Sequence, residues 1–200
     1  FSDYYTNWLH FSNIHKPTID LFFSLQYRDA IYLEDSFQKI IQSLEVYHRR
    51  SPEYSKNFCS PEEFESLKSI FLDCIPKDTP DDFKNSMSTK ISYFYQYSLQ
   101  RRLKEILQIC KKDYGDIISE IFGNIPEWAY KVANRRDHFT HHEQDEQLDY
   151  RELYLWIIQG KLLFHIILLR EIGFDKEFII QKIKADDLYK QLKRGGGFIG

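Results

Sequence analysis

The feature that most restricts the fold is an apolar segment near the end of the chain, residues 148–172. Its apolar residues fall on almost every side of a helix, a pattern typical of a helix that other elements surround. Gln159, Lys161 and His165 interrupt it, so it lacks the run of about 20 apolar residues that a membrane span requires. The segment therefore predicts a buried central helix around which the rest of the chain packs.

Helical spacing of apolar residues recurs through the rest of the sequence, and strand-like alternation is absent. Ser60-Pro61-Glu62-Glu63 is a capping box that starts one helix, and Thr79-Pro80-Asp81-Asp82 looks like a second box. An all-α fold follows. We expect helices at 3–11, 17–25, 29–50, 61–75, a short stretch after 80, 89–112, 116–122, 126–142, 148–172 and 176–192.

Length and composition suit one domain, at most with a small appendage. A hydrophobic content of 42% and an aromatic content of 16% can fill a core. We assign the domain to residues 1–193 and a flexible glycine-rich tail to 194–200. The three cysteines are odd in number and lack ligand spacing, so we interpret them as reduced thiols of a cytoplasmic protein. Because the chain starts at Phe1, we expect it to be cut from a longer protein.

A charged segment at residues 134–142 holds three of the seven histidines. It begins inside a helical pattern, and Arg136 stands four residues after Val132, on or beside the apolar stripe. An uncompensated guanidinium is costly in that position, so Arg136 requires a partner, an interface or a cleft. This misfit indicates a functional site.

Asp137 and His141 are four residues apart, which makes them neighbours on one helix face if the helix extends that far. The carboxylate would orient the imidazole and favour its protonated form, which suits general acid–base catalysis near neutral pH. The planar guanidinium of Arg136 adds N–H donors that can bind two oxygens of a phosphate or a carboxylate. The three side chains therefore favour chemistry on an anionic substrate.

The pattern Arg136-Asp137-x-x-x-His141 resembles the arginine–polar–x3–histidine signature of the HEPN superfamily. These are all-helical domains found in many prokaryotic RNA-cleaving toxins and defence proteins. The surrounding residues are most similar to the Apea-like branch, as are residues 32–37 and 44–50. In that branch asparagine and then an aromatic residue usually follow the arginine, where this chain has Asp137 and His138.

The resemblance implies a HEPN-type helical bundle with several additional short helices. It also implies a metal-independent endoribonuclease without a cofactor, active as a homodimer whose two motifs face one RNA phosphate. Arg136 would hold that phosphate, His141 would transfer the proton and Asp137 would orient His141. The family further suggests a role in anti-phage defence or abortive infection, with an upstream sensor domain in the same chain.

Five further residues are expected to bind the RNA. Three of them lie in the charged segment at residues 134–142. The other two lie at the end of the helix expected at 29–50, and the resemblance implies that this helix end lies beside Arg136. Glu45, His48 and Arg49 gather at that helix end by their spacing. The expected RNA-binding residues are Arg135, His138, His142, His48 and Arg49.

The net charge of −3 argues against a broadly basic surface but allows a local one. Arginine pairs at 49–50, 101–102 and 135–136 concentrate positive charge, although each could simply be a solvated helix end. Arg101 and Arg102 are expected to face solvent.

Two other interpretations of the charged segment stay open. His138, His141 and His142, with Glu143 and Asp145 nearby, have spacings that could hold a metal ion. A HEPN domain can also bind nucleotides, RNA or protein partners without cutting anything. Elsewhere, His165 is expected to be a hydrogen-bonded core histidine.

Overall fold

A computed structural model describes residues 2–25, 32–141 and 149–195, and for Thr140 and His141 it describes the backbone alone. Within these ranges the regular structure is α-helical, with one isolated bridge between Asn57 and Gln96. The predicted all-α class is confirmed. The helices are α1 (Ser2–Ile14), α2 (Lys16–Ser24), α3 (Leu33–Arg50), α4 (Pro61–Asp73), α5 (Asp81–Ile91), α6 (Leu99–Tyr114), α7 (Asp116–Phe122), α8 (Ile125–His141), α9 (Tyr150–Ile172), α10 (Lys176–Ala185) and α11 (Asp187–Lys193).

The chain divides into two compact units. The first combines Phe1–Ser51 with Leu99–Gly200, and the second is Pro52–Ser98, inserted in the sequence between α3 and α6. We expected one helix at 89–112, but α5 ends at Ile91 and α6 begins only at Leu99. The apolar spacing continues across this gap, which is why periodicity alone joined two helices that belong to different units.

Helix α9 is the centre of the first unit and packs against α1, α3, α10 and α11. Asp149 caps its start by accepting from the backbone N–H groups of Arg151 and Glu152, and Gly173 ends it in the left-handed conformation. Contrary to the argument from its polar interruptions, α9 is long and apolar enough to cross a membrane, but 56% of its apolar window is buried inside the protein, as in a core helix. The prediction of a buried central helix is confirmed.

The three polar residues that interrupt the apolar sequence of α9 lie in three different environments. His165 is partly buried, and its Nδ1 lies 3.0 Å from Asp186 Oδ2, in accord with the expected hydrogen bond. Gln159 accepts from the Trp128 indole and donates to the Ile121 carbonyl. Burial lowers the pKa of Lys161 because the charged form is less well solvated there.

Two predictions about helix starts were wrong in part. Helix α5 begins at Asp81, where a short helix was expected, but its N-cap is Pro80 and no side-chain capping bond forms, so the second capping box is absent. The single helix expected at 176–192 is two helices, because the Asp186 carboxylate accepts from the N–H of Leu188 and starts α11. Asp175 caps α10 as expected.

The second unit is built on α4 and α5. Its capping box is confirmed, since Ser60 Oγ accepts from the Glu63 N–H and the Ser60 N–H donates to the Glu63 carboxylate. Phe64 packs on Tyr95, with ring centroids 5.3 Å apart. Small units bury a limited fraction of their surface, and this one leaves several large apolar side chains exposed. These are Phe58, Leu67, Ile70, Phe71, Phe83, Tyr93 and Phe94.

The approach of α3 to α9 depends on Gly160. A Cβ at this position would lie 2.8 Å from Cγ1 of Ile40, a residue with no exposed surface. Gly160 therefore permits a helix contact that any larger residue would push apart.

We predict that Gly160→Ala lowers the free energy of unfolding by about 1–3 kcal/mol, because overpacking outweighs the helix propensity gained from alanine. Urea unfolding followed by circular dichroism measures the change. In an Ile40→Ala background, where the clashing γ carbons are gone, the same substitution should be neutral or stabilising. Equal costs in both backgrounds would contradict this account of the contact.

Candidate active site

Helix α8 carries the predicted motif. Trp128, Ala129 and Val132 anchor its first half in the core. The helix extends to His141, so Asp137 and His141 lie one turn apart on a continuous helix, as their proposed pairing requires. The side chain of His141 lies outside the described residues, and the pairing itself stays a prediction.

Arg136 has the partner that its position on α8 demands. Its side chain is 35% exposed, its Nη2 lies 3.5 Å from Glu45 Oε2, and its Nη1 lies 3.3 Å from Asp137 Oδ1. Glu45 belongs to α3, so the end of that helix lies beside the motif, as the resemblance suggested. The end of α3 therefore contributes the Glu45 carboxylate to this region, in addition to the positive charge that was expected there.

Glu45 joins two arginines from different helices. Its Oε1 accepts from Nε and Nη2 of Arg49, at 3.0 and 2.9 Å, while Oε2 faces Arg136. The Glu45 side chain is only 14% exposed, so water screens these interactions less than it screens a surface pair. Glu45 was noted in the sequence as a neighbour of Arg49, but a single sequence gave no signal that it also reaches α8.

His48, next to Arg49, faces α6 and not the surface. It has no exposed surface, and its Nε2 lies 3.0 Å from Glu105 Oε2 on α6. Nη1 of Arg102 lies 3.2 Å from the other ring nitrogen, Nδ1. Arginine can only donate, so Nδ1 accepts and Nε2 carries the hydrogen that is donated to Glu105. The ring is therefore neutral. The buried His48 side chain joins α3 to α6 and does not reach the surface.

Arg102 was expected to face solvent, and that expectation was wrong. Its side chain has no exposed surface, whereas its neighbour Arg101 is 44% exposed and bonds Glu105 through Nε at 3.1 Å. A buried guanidinium is tolerated only where other groups satisfy it, and here one of these groups is His48 from α3. The sequence of α6 alone does not contain that partner.

The remaining candidates lie on or beyond the last turns of α8. Asp137 and His138 are exposed, and Arg135 is half-buried. His142 and the acidic residues 143–147 lie outside the described residues, as does most of the possible histidine metal cluster. In the part of the chain that is described, no group of three or more His, Cys, Asp or Glu residues is arranged to hold a metal ion.

A separate cleft of about 240 Å³ lies between α8 and α9. Trp128 and Trp156 line it, and Lys131 at its rim bonds Glu127 at 3.0 Å and lies 3.9 Å from Glu152. These ion pairs raise the pKa of Lys131. The cleft is near the start of α8 and the motif is near its end, so we do not include it in the candidate site.

The sequence model of the Apea-like HEPN family matches residues 39–178, from within α3 to within α10. This match covers more than half of the chain and includes Glu45, the α6 arginines and the Arg136 segment. The chain belongs to the Apea-like HEPN family. HEPN proteins are generally of the ribonuclease type. Searches of the curated proteins and of the solved structures find no match to this HEPN chain.

We predict that Arg102→Met lowers the free energy of unfolding by about 1–3 kcal/mol or more, because it leaves the buried Nδ1 of His48 without its donor. Arg101→Met is the matched control. It removes the adjacent, exposed arginine, which bonds Glu105, and should cost less than about 1 kcal/mol. Equal effects of the two substitutions in urea unfolding would show that burial of Arg102 is unimportant for stability.

Proposed function

We propose that this HEPN protein is a metal-independent endoribonuclease in which Arg136 binds the scissile phosphate and His141 transfers a proton. The observation that carries the proposal is the placement of Arg136. Its partly exposed guanidinium is held between Glu45 and Asp137, on a helix that continues to His141. A fixed guanidinium can meet a phosphate without a large loss of side-chain entropy.

The proposed reaction uses a nucleophile from the RNA itself. A base removes the proton from a ribose 2'-hydroxyl, and that oxygen attacks the adjacent phosphorus. The bond to the 5'-oxygen of the next nucleotide breaks, and an acid protonates the leaving oxygen. The products are a 2',3'-cyclic phosphate and a 5'-hydroxyl. Arg136 would stabilise the charge on the phosphate oxygens, and His141 would be the base or the acid.

Asp137 is proposed to orient His141. Its Oδ1 contacts Arg136 at 3.3 Å. A carboxylate has two oxygens, so this contact is compatible with a bond from Oδ2 to the imidazole. Asp137 would then couple the phosphate-binding and proton-transfer groups of one motif.

One chain supplies only one copy of each motif residue. We propose a homodimer in which two motifs face one phosphate, so that one histidine acts as the base and the other as the acid. Arg135, His138, His142 and Arg49 would bind flanking RNA, with His48 fixing the end of α3 beneath them. We further propose that the protein acts in the cytoplasm, in anti-phage defence or abortive infection, under the control of an upstream sensor domain.

A non-catalytic binding module is the second candidate. The observation in its favour is that Arg136 already contacts two carboxylates, which compensate part of its charge. In such a module the same surface would hold RNA or a protein partner, and no bond would break.

We predict that Arg136→Ala and His141→Ala each reduce RNA cleavage by about 100-fold or more, the range expected when phosphate stabilisation or proton transfer is removed. Cleavage of total RNA by the purified protein measures the effect. Lys131→Ala, which removes an exposed cation from the same helix, is the control and should cleave normally. Activity retained in His141→Ala would indicate that His138 or His142 transfers the proton.

The metal-independent reaction makes a separate prediction. In excess EDTA the wild-type protein should cleave at an unchanged rate and leave 2',3'-cyclic phosphate and 5'-hydroxyl ends, which chemical end typing identifies. Cleavage that stops in EDTA and returns with a divalent ion would favour the histidine cluster instead. A folded, dimeric wild type that never cleaves would favour the binding module.

A further inference from the structure

Helix α4 of the second unit presents an apolar face to solvent. Leu67 is 49% exposed, Ile70 59% and Phe71 47%. Cys74, directly after the helix, is exposed as well. Their spacings of three and four place these residues in one stripe about 100° wide, the pattern of a helix face that normally turns towards a core. We call these four residues the α4 stripe.

Helix α4 gains little stability from its own unit. Phe64, which packs on Tyr95, is the one buried residue among the thirteen of this helix. A helix of about this length is marginal in water by itself and takes most of its stability from burying an apolar face. Contiguous exposed apolar side chains of this kind mark interaction surfaces, whereas single ones do not. A partner that covered the α4 stripe would therefore also stabilise the helix.

The residues that border the stripe are mainly acidic. Helix α4 holds four acidic residues and one lysine. Glu63 and Asp73 are exposed, and each lies three or four positions from a member of the stripe, which makes them its neighbours on the helix surface. The lysine, Lys68, lies 3.4 Å from Glu65, so its charge is already compensated. A partner that covers the stripe thus meets carboxylates at its edge.

The second unit carries the negative charge of the protein. Eight acidic and five basic residues give Pro52–Ser98 a formal net charge of −3, equal to that of the whole chain, so the remaining residues balance to zero. A second copy of this unit, or an anionic membrane, would be repelled by it. A basic partner is attracted.

We propose that the α4 stripe binds a basic amphipathic helix of another protein. Apolar side chains at helical spacing on that helix cover Leu67, Ile70 and Phe71, and its lysine or arginine side chains meet the carboxylates at the edge. The inference concerns a protein-binding surface of the second unit. It does not depend on the ribonuclease activity proposed for the first.

The size of the stripe determines the kind of complex. Four partly exposed side chains offer much less than the roughly 800 Å² that each partner contributes to a stable interface. The complex is therefore weak and reversible, and charge attraction speeds its formation.

A designed peptide of about 14 residues tests this surface on the purified full chain. It carries leucine at positions i, i+3, i+4 and i+7 and lysine on the opposite face, and its control has glutamate in place of every lysine. Fluorescence anisotropy of the labelled peptide gives the dissociation constant. The lysine peptide should bind at least tenfold more tightly than the glutamate peptide. Its affinity should fall several-fold between about 50 and 500 mM salt, because salt screens the attraction.

Substitutions locate the binding surface. Leu67→Ser and Ile70→Ser should each weaken binding by about tenfold, since each removes apolar area from the contact. Asp73→Asn should reduce the salt dependence. Leu9→Ser, which changes a 43% exposed leucine on α1 of the first unit, is the matched control and should bind as the wild type does. All four positions are exposed, and unchanged melting temperatures show that the variants are folded.

Hydrogen exchange supplies a second measurement, in which the amides of α4 should become protected when the lysine peptide is bound. Absence of binding, equal binding of the two peptides, or binding that Leu67→Ser and Ile70→Ser leave unchanged each overturns the proposal. Self-association of the wild type that Ile70→Ser abolishes would assign the stripe to a second copy of the chain instead. The ribonuclease proposal is unaffected by any of these results, since RNA cleavage tests it separately.

Discussion

The packing of α3 against α9 is the contact on which the rest of the first unit depends. Helix α9 is apolar on almost every side, and burying it provides the main driving force for folding this unit. Gly160 lets Ile40 approach the α9 backbone, which fixes the position of α3. The far end of α3 then places Glu45 against α8 and His48 against α6. The polar site is thus positioned by an apolar contact about one to two helical turns away along α3.

The buried polar side chains of Arg102 and His48 have a different role from the partly exposed arginines. Arg102 and His48 are fully buried, and removing such groups from water costs free energy that their mutual hydrogen bond must offset. The same hydrogen bond restricts movement of α3 relative to α6, because a small shift would break it while both groups remain buried. Arg49, Arg101 and Arg136 remain partly exposed on this rigid support.

The sequence could predict whatever depends on neighbours in the chain. The apolar pattern of α9, the capping box at Ser60 and the continuous α8 motif all arise within one segment, and the structure has them as expected. Burial of Arg102 could not be predicted, because its partner His48 comes from another helix. The joint role of Glu45 was missed for the same reason. Periodicity also joined α5 to α6, although the chain leaves one unit and enters the other between them.

The inserted unit, Pro52–Ser98, has a consequence for how this fold can vary. It leaves the first unit just after Arg49 and Arg50 and rejoins it two residues before Arg101. The helices packed on α9 are α1, α3, α10 and α11, and all of them belong to the first unit. The length and sequence of the inserted unit can therefore change without rebuilding the core that α9 organises. Such a chain can keep one set of core helices over evolution while the segment between α3 and α6 diverges.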